Sequence, residues 1–191
     1  MTARRGLAIG AALLLLAAVT AAVLLTRARS AGRSRTQPAV ASVPAPSAAS
    51  GRKIKVRLFY VAEDGSGLTA VEHDVPYSEG VTEQARAILS AQIEPVSEPL
   101  VSAVPDGTAL RSFFLTDRGD AYVDLSAQAG SAHVGGTLGE MLTVYTIVNV
   151  LTANLPVVKT VHLLVEGKEA PTLAGHVDIT RPLTIDLAWV Q

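Results

Sequence analysis

The chain has 191 residues, no cysteine and a formal net charge of −1 at pH 7. This length predicts one ordinary domain, and the lack of cysteine excludes disulfides, thiolate metal sites, a cysteine nucleophile and a lipid-modified cysteine. All 17 acidic residues follow position 52, but only nine Lys and Arg do, so residues 53–191 carry a charge of −8. We expect no nucleic-acid partner, because phosphate contacts need clustered Lys and Arg.

The N-terminal region contains a run of residues without charge, 6–26, bounded by Arg5 and Arg27. At about 1.5 Å per residue, this run is long enough to span the roughly 30 Å hydrocarbon core of a bilayer. A cleaved signal peptide is the alternative, although its apolar region is usually about 7–15 residues. We therefore predict an N-terminal transmembrane helix that anchors the chain, within residues 1–29.

Residues 30–52 are predicted to be a linker between the anchor and a folded domain. They include a stretch of Pro, Ala and Ser that is too poor in large apolar residues to fold. The arginines on the two sides of the apolar run slightly favour a cytoplasmic C-terminal side. Charge alone therefore leaves the orientation of the domain open.

The hydrophobic periodicity of residues 53–191 predicts an α+β domain. Alternating patterns indicate strands, and apolar residues at helical spacing indicate two helices. The order β-β-α-β-β-α-β predicts a mixed sheet of about four to five strands with the two helices packed on one face. The segments 176–180 and 182–190 are expected to add edge pairing. The predicted strands are 53–61, 68–75, 108–116, 120–126 and 157–167, and the predicted helices are 81–93 and 137–154.

The second helix has a distinct predicted start and a predicted buried face. Thr137 and Glu140 have the spacing of a capping box, in which each side chain bonds the backbone of the other residue. Asn154-Leu155-Pro156 is expected to end the helix. Its predicted buried stripe comprises Leu138, Met141, Leu142, Tyr145, Val148 and Thr152.

The aspartate and serine of DAYVDLS, residues 120–126, are candidates for a catalytic pair. Alternation places Asp124 on the strand face opposite Val123 and Leu125, and Ser126 stands where the strand ends. A serine nucleophile also needs a base and an oxyanion site, and the chain has no G-x-S-x-G turn. We expect a solvated face for Asp124 and a hydrogen bond at the strand exit for Ser126.

No other pattern in the sequence predicts a catalytic, cofactor-binding or metal-binding residue. The four histidines have no paired spacing, and His176-Val177-Asp178 is too short to indicate a metal site. GGTLGE, residues 135–140, lacks the Lys-Ser/Thr ending of a phosphate loop, so its glycines are expected to open the helix entry. No pair of acids has a spacing that predicts a glycosidase site.

Several stretches together resemble the GerMN domain family, the sporulation and spore germination domain of bacterial envelope proteins. They come in the family's order, cover about 53–180, and share V-P-x-G-T, V-D-L-S, T-x-N-x-P and L-V-E-G. The family often has a Leu-x-x-Gly-Pro end to its first helix, where this chain has 91–95, and Asp where Glu166 stands. The matching stretches are KVRLFYV, SAVPDGTAL, DAYVDLS and TVYTIVNVLTANLPVVKTVHLLVEGK.

The resemblance implies an extracytoplasmic α+β domain at residues 53–191 that assembles with other envelope proteins or with itself and is not an enzyme. It favours the outer side of the membrane, with sporulation or germination as one setting. Edges near 157–165 and 176–180, and exposed apolar residues of the 94–107 loop (Val96, Leu100 and Val101), are candidate contacts. The alternative for these three apolar residues is that they cover the core. Peptidoglycan binding is the alternative, although aromatic residues are scarce and Trp189 is the only tryptophan; a wall hydrolase ranks third.

Overall fold

The structure is a computed structural model that describes residues 51–134 and 136–191, which belong to one compact unit. Its strands are β1 (Lys53–Val61), β2 (Leu68–Pro76), β3 (Leu110–Leu115), β4 (Asp120–Leu125), β5 (Thr160–Val165) and β6 (Lys168–Glu169). Its helices are α1 (Val81–Ile93), α2 (Gln128–Ser131), α3 (Thr137–Asn154) and a single 3-10 turn (Leu187–Trp189). The α+β class, the two long helices and all five predicted strands are confirmed. The short helix α2 occupies part of a predicted loop.

The strands belong to two sheets rather than to one continuous sheet. β1 and β2 form an antiparallel hairpin, whereas the second sheet has the order β3-β4-β5-β6. Within that second sheet, β4 and β5 run parallel, and the other neighbours run antiparallel. The mixed sheet is therefore present with four strands. Helix α3 connects the parallel pair, since parallel neighbours require a long crossover.

The two long helices pack against each other and against strands of both sheets. Helix α1 contacts β1, β2 and β3, and α3 contacts β1 and β5. Glu94 ends α1 just before Pro95, as the proline predicts. The shared core is formed by large side chains with almost no exposure, among them Leu58, Phe59, Leu68, Ile88, Leu89, Val123, Leu125, Ile147, Leu151 and Val161.

Helix α3 is buried around most of its circumference. Leu142 and Val148 of the predicted stripe are buried, but Leu138 is exposed and Met141, Tyr145 and Thr152 are only half-buried. The predicted stripe is therefore wrong in part. The cause is that α3 has neighbours on several sides, so residues outside a single stripe are buried as well. These further buried residues are Glu140, Thr143, Val144, Thr146, Ile147, Asn149, Val150 and Leu151.

Side-chain carboxamides from both helices close the free edge of β1. Asn154 Oδ1 accepts the Arg57 N–H at 2.8 Å, and Asn154 Nδ2 donates to the Arg57 carbonyl at 2.8 Å. Gln92 makes the same two bonds to Phe59, two residues along the strand. At the next outward position, the Val61 N–H donates to the Val101 carbonyl. An unpaired strand edge can pair with another chain. These bonds satisfy backbone groups on the outer edge of β1 without another strand.

The predicted transmembrane anchor, residues 1–29, and nearly all of the predicted linker lie outside the described residues. None of the helices within 51–134 and 136–191 combines the length and hydropathy that a membrane crossing requires. The anchor and the linker stay predictions.

Candidate functional site

Asp124 and Ser126, the candidate catalytic pair, both have structural roles. Asp124 is buried, with 6% exposure, so the prediction of a solvated side chain is wrong. Its Oδ1 accepts the Gly167 N–H at 2.7 Å, and its Oδ2 lies 3.7 Å from Arg111 Nε. Ser126 Oγ accepts the Ala109 N–H at 3.0 Å, which confirms the predicted hydrogen bond at the strand exit.

Asp124 belongs to a cluster that joins two motifs distant in sequence. The Arg111 guanidinium lies between Asp124 and Glu166 and pairs with both carboxylates. Glu166 also accepts the Ala127 N–H at 2.9 Å, and its φ of 53° places it in the left-handed region of a tight turn. V-D-L-S and L-V-E-G therefore meet in space. Their acids are occupied by donors of the same chain.

Glu140 is a buried carboxylate on α3 that holds the segment after β6. Its Oε1 accepts the Leu173 and Ala174 N–H groups at 2.9 Å, and its Oε2 accepts the His176 N–H at 2.8 Å. Burial by itself would raise the pKa of Glu140, but the backbone N–H donors and the His176 ring outweigh it and lower the pKa below its usual value. The side chain therefore stays ionised, with its oxygens engaged.

The predicted capping box at the start of α3 is wrong. Gly136 is the N-cap residue, with φ of 87°, and no side chain within the described part of the chain caps the helix. Glu140 turns instead to the 173–176 backbone, where it accepts three N–H groups. A glycine at the helix entry is confirmed, since few other residues adopt this backbone conformation without cost.

Within 51–134 and 136–191, no group of three or more His, Asp or Glu side chains is arranged to hold a metal ion. His176 and Asp178 do not converge on a common site: His176 pairs with Glu140, whereas Asp178 Oδ1 accepts from the Thr180 N–H and hydroxyl. His133 bonds the Thr143 hydroxyl at 3.1 Å, and His162 belongs to a row of rings on the second sheet.

A pocket with a volume of about 420 Å³ opens where three loops meet the start of α3. Its walls are mostly apolar, and Ser102, Asp106 and His133 supply polar groups. We name it the loop pocket. This volume lies in the usual range for ligand and anchor sites, roughly 300–1,000 Å³. The apolar residues of its lining are Val61, Ala103, Val104, Pro105, Ala132, Val134, Leu138 and Leu142.

The long 94–107 loop forms one wall of the loop pocket. Val96 and Leu100 pack against the core, so two of the three residues predicted as exposed contacts are partly covered. Val101 remains exposed, at 56%. Val134 and Leu138, which line the pocket, are also exposed.

Three rings lie side by side on the face of the second sheet opposite the buried Val123 and Val161. Phe114, Tyr122 and His162 are direct cross-strand neighbours on β3, β4 and β5. Tyr122 stacks on His162 with centroids 4.4 Å apart, and Phe114 is 6.4 Å from Tyr122. Phe114 is 63% exposed. We name these residues the aromatic row. Sequence reasoning missed it because the rings come together only through strand register.

The edges predicted for strand addition have partners in the structure. β5 pairs with β4 on one side, and on the other side Val161 pairs with Leu183 while Leu164 and Val165 pair with β6. No strand forms in the described segment 176–180. The free edges predicted at 157–165 and 176–180 are therefore wrong, whereas the edge pairing predicted for 182–190 is confirmed at Leu183 and Val190. Trp189 packs partly buried beside Tyr145.

Comparison with known families identifies the domain. The Germane family, described as sporulation and spore germination, matches residues 57–171. The chain belongs to this family. This match confirms that residues 53–180 resemble a GerMN domain. No curated protein matches the chain.

Solved GerMN structures share the fold. The first GerMN domain of the sporulation protein GerM from Bacillus subtilis is 20% identical, with a TM-score of 0.51 and coverage of 70% of this chain and 96% of that chain. The tandem GerMN domains of the same protein are 17% identical, with a TM-score of 0.54 and 70% coverage of this chain. The present chain spans 46% of that tandem structure. Both similarities show the GerMN fold alone.

Proposed function

We propose that the protein is a membrane-tethered, extracytoplasmic module that assembles with other envelope proteins and has no enzymatic activity. The observation that carries this proposal is the loop pocket with its rim of exposed apolar residues, on a domain of the sporulation and germination family. Exposed apolar surface around a concave site is typical of protein contacts. The apolar run at 6–26 supplies the tether.

The two buried acids Asp124 and Glu140 are already bonded within the domain, which supports the proposal that it has no enzymatic activity. A general acid or nucleophile must present a carboxylate to substrate. Glu140 has both oxygens engaged by N–H groups, and Asp124 faces Gly167 and Arg111. Sporulation or germination is the setting that the family description favours.

Labelling of the tether tests the membrane side directly. The chain has no cysteine, so Ser47→Cys in the full-length protein creates a single thiol. We expect a membrane-impermeant maleimide to label this thiol in intact cells. Labelling that requires lysis would place the domain in the cytoplasm and refute the proposal.

Peptidoglycan binding is the second candidate, and the aromatic row favours it. Exposed rings beside hydrogen-bonding groups are the usual contacts of sugars with proteins, since rings offer apolar faces. Asp120 lies on the same face, and a hydrogen bond from the Thr160 hydroxyl lowers its pKa, so it is an ionised acceptor there. Saturable pelleting of the domain with purified sacculi would raise this candidate above protein assembly.

A further inference from the structure

We propose that the loop pocket binds a partner-protein segment in which an aliphatic side chain is flanked by Lys or Arg. This inference rests on the proposed function, because it names the surface and the chemistry by which the module recognises its partner.

The lining selects an aliphatic group. Val61, Val104, Leu138 and Leu142 all line the pocket, and burying an aliphatic side chain against such walls stabilises a complex. The Ser102 hydroxyl is already bonded to the Val104 backbone. The interior therefore offers apolar walls with few groups that would demand a polar ligand.

The rim indicates a macromolecule rather than a small ligand. Val134 and Leu138 line the pocket and are 102% and 44% exposed, and Val101, next in the chain to the lining residue Ser102, is 56% exposed. A small molecule within the pocket would leave this apolar rim in water. A protein segment covers the rim while one side chain fills the pocket, which is the arrangement of interface anchors surrounded by contacts that exclude water.

Charge complementarity selects the flanking residues. The three segments around the pocket, 62–67, 94–107 and 127–139, contain five acids and no Lys or Arg. Those acids are Glu63, Asp64, Glu94, Glu98 and Asp106. Asp106 lies directly in the lining. A hydrogen bond from the Ser66 backbone N–H lowers the pKa of Asp64, so this acid is ionised at neutral pH. Acids in the loops that contribute to the pocket repel acidic partners and attract basic ones.

Peptide binding to the full-length chain tests the proposal. The protein is placed in phosphatidylcholine nanodiscs, with empty nanodiscs as the blank, and fluorescence anisotropy follows three labelled peptides. One has Leu-Leu flanked by Lys and Arg, the second replaces Leu-Leu by Ser-Ser, and the third replaces the basic flanks by Glu. We expect saturable binding of the first peptide alone, weakening as salt screens the charges.

Variants locate the binding on the protein. We expect Val134→Asp and Leu138→Asp each to weaken binding by about tenfold or more, because a charge in an apolar contact must be desolvated. Asp106→Asn should weaken it by about two- to fivefold. Val157→Asp is the matched control, since Val157 is 45% exposed and does not line the pocket. It should leave the affinity unchanged.

Three results would overturn the proposal: no saturable binding of the basic peptide, equal binding of the Glu-flanked peptide, or equal losses from the Leu138 and Val157 variants. These failures are distinct from failure of the proposed function. An extracellular Ser47→Cys label with no peptide binding refutes the pocket and leaves the envelope module standing. A cytoplasmic label refutes the module itself.

Discussion

The side chain of Gln92 completes the hydrogen bonding of Phe59 as a neighbouring strand would. Its Oε1 accepts the Phe59 N–H and its Nε2 donates to the Phe59 carbonyl, both at 2.8 Å. Gln92 is fully buried and Phe59 is 1% exposed. The end of α1 is thereby fixed against β1, in a place that water does not reach.

Gln92→Leu tests how much the two hydrogen bonds between Gln92 and the Phe59 backbone stabilise the domain. We expect the free energy of unfolding to fall by about 2–4 kcal/mol, because two buried backbone groups of Phe59 lose their partners. Urea denaturation of residues 51–191 measures the change. Gln128→Leu, at an exposed position, is the control and should change stability by about 0.5 kcal/mol or less. A similar loss of unfolding free energy in both variants would contradict a stabilising role for the Gln92 hydrogen bonds.

Glu140 should make stability depend on pH in the acidic range. Its pKa in the folded protein lies below the usual 4.5, so its contribution is complete above that value and is lost as pH falls through the folded pKa. We expect Glu140→Gln to be less stable at neutral pH. Its deficit should shrink as pH falls below about 4.5.

Several other acids also have lowered pKa values, so only the difference between wild type and variant isolates Glu140. Urea titrations from pH 7 to about pH 3 give that difference. Glu169→Gln, at an exposed position, is the control. A Glu140→Gln deficit that stays constant across this range would contradict the assignment.

Thr146 offers a stabilising substitution in the middle of α3. Its Oγ1 is buried and has no hydrogen-bond partner among the described residues. Thr146→Val replaces the hydroxyl by a methyl group of similar size, and we expect unfolding to cost about 1 kcal/mol more. Thr152→Val is the comparison, since the Thr152 hydroxyl donates to the Val148 carbonyl at 2.8 Å. Thermal unfolding that favours Thr152→Val over Thr146→Val would refute the reasoning.

The aromatic row distinguishes the two proposed functions. Phe114 is exposed, so Phe114→Ser should change stability by about 1 kcal/mol or less. If the row binds peptidoglycan, Phe114→Ser abolishes co-sedimentation of the domain with sacculi. Under the protein-assembly proposal we expect wild type and variant alike to remain in the supernatant. Specific pelleting of wild type alone would therefore overturn the ranking of the two functions.

Local periodicity was enough to predict the elements, because it reflects the side of each element that meets the core. β1, β2, α1 and α3 begin and end within a residue or two of their predicted bounds. The same information predicts only the face of Asp124 and not its environment. Arg111 and the Glu166–Gly167 turn cover that carboxylate, and both come from other parts of the chain.

The candidate site depended on long-range contacts and was largely beyond the sequence. The loop pocket gathers residues from 61 to 142, and the aromatic row joins residues up to 48 positions apart. Glu140 shows the limit clearly. Its spacing from Thr137 is that of a capping box, yet its actual contacts are backbone N–H groups more than 30 residues away.

Photo-crosslinking in intact cells tests the central claim most directly. A benzoylphenylalanine replaces Leu138 in the full-length chain, and the same probe at Val157 serves as the matched control. We predict a discrete adduct with an envelope protein from position 138 and none from position 157. Absence of a protein adduct at 138, or the same adducts from both positions, would contradict the claim that this end of the domain docks onto envelope proteins.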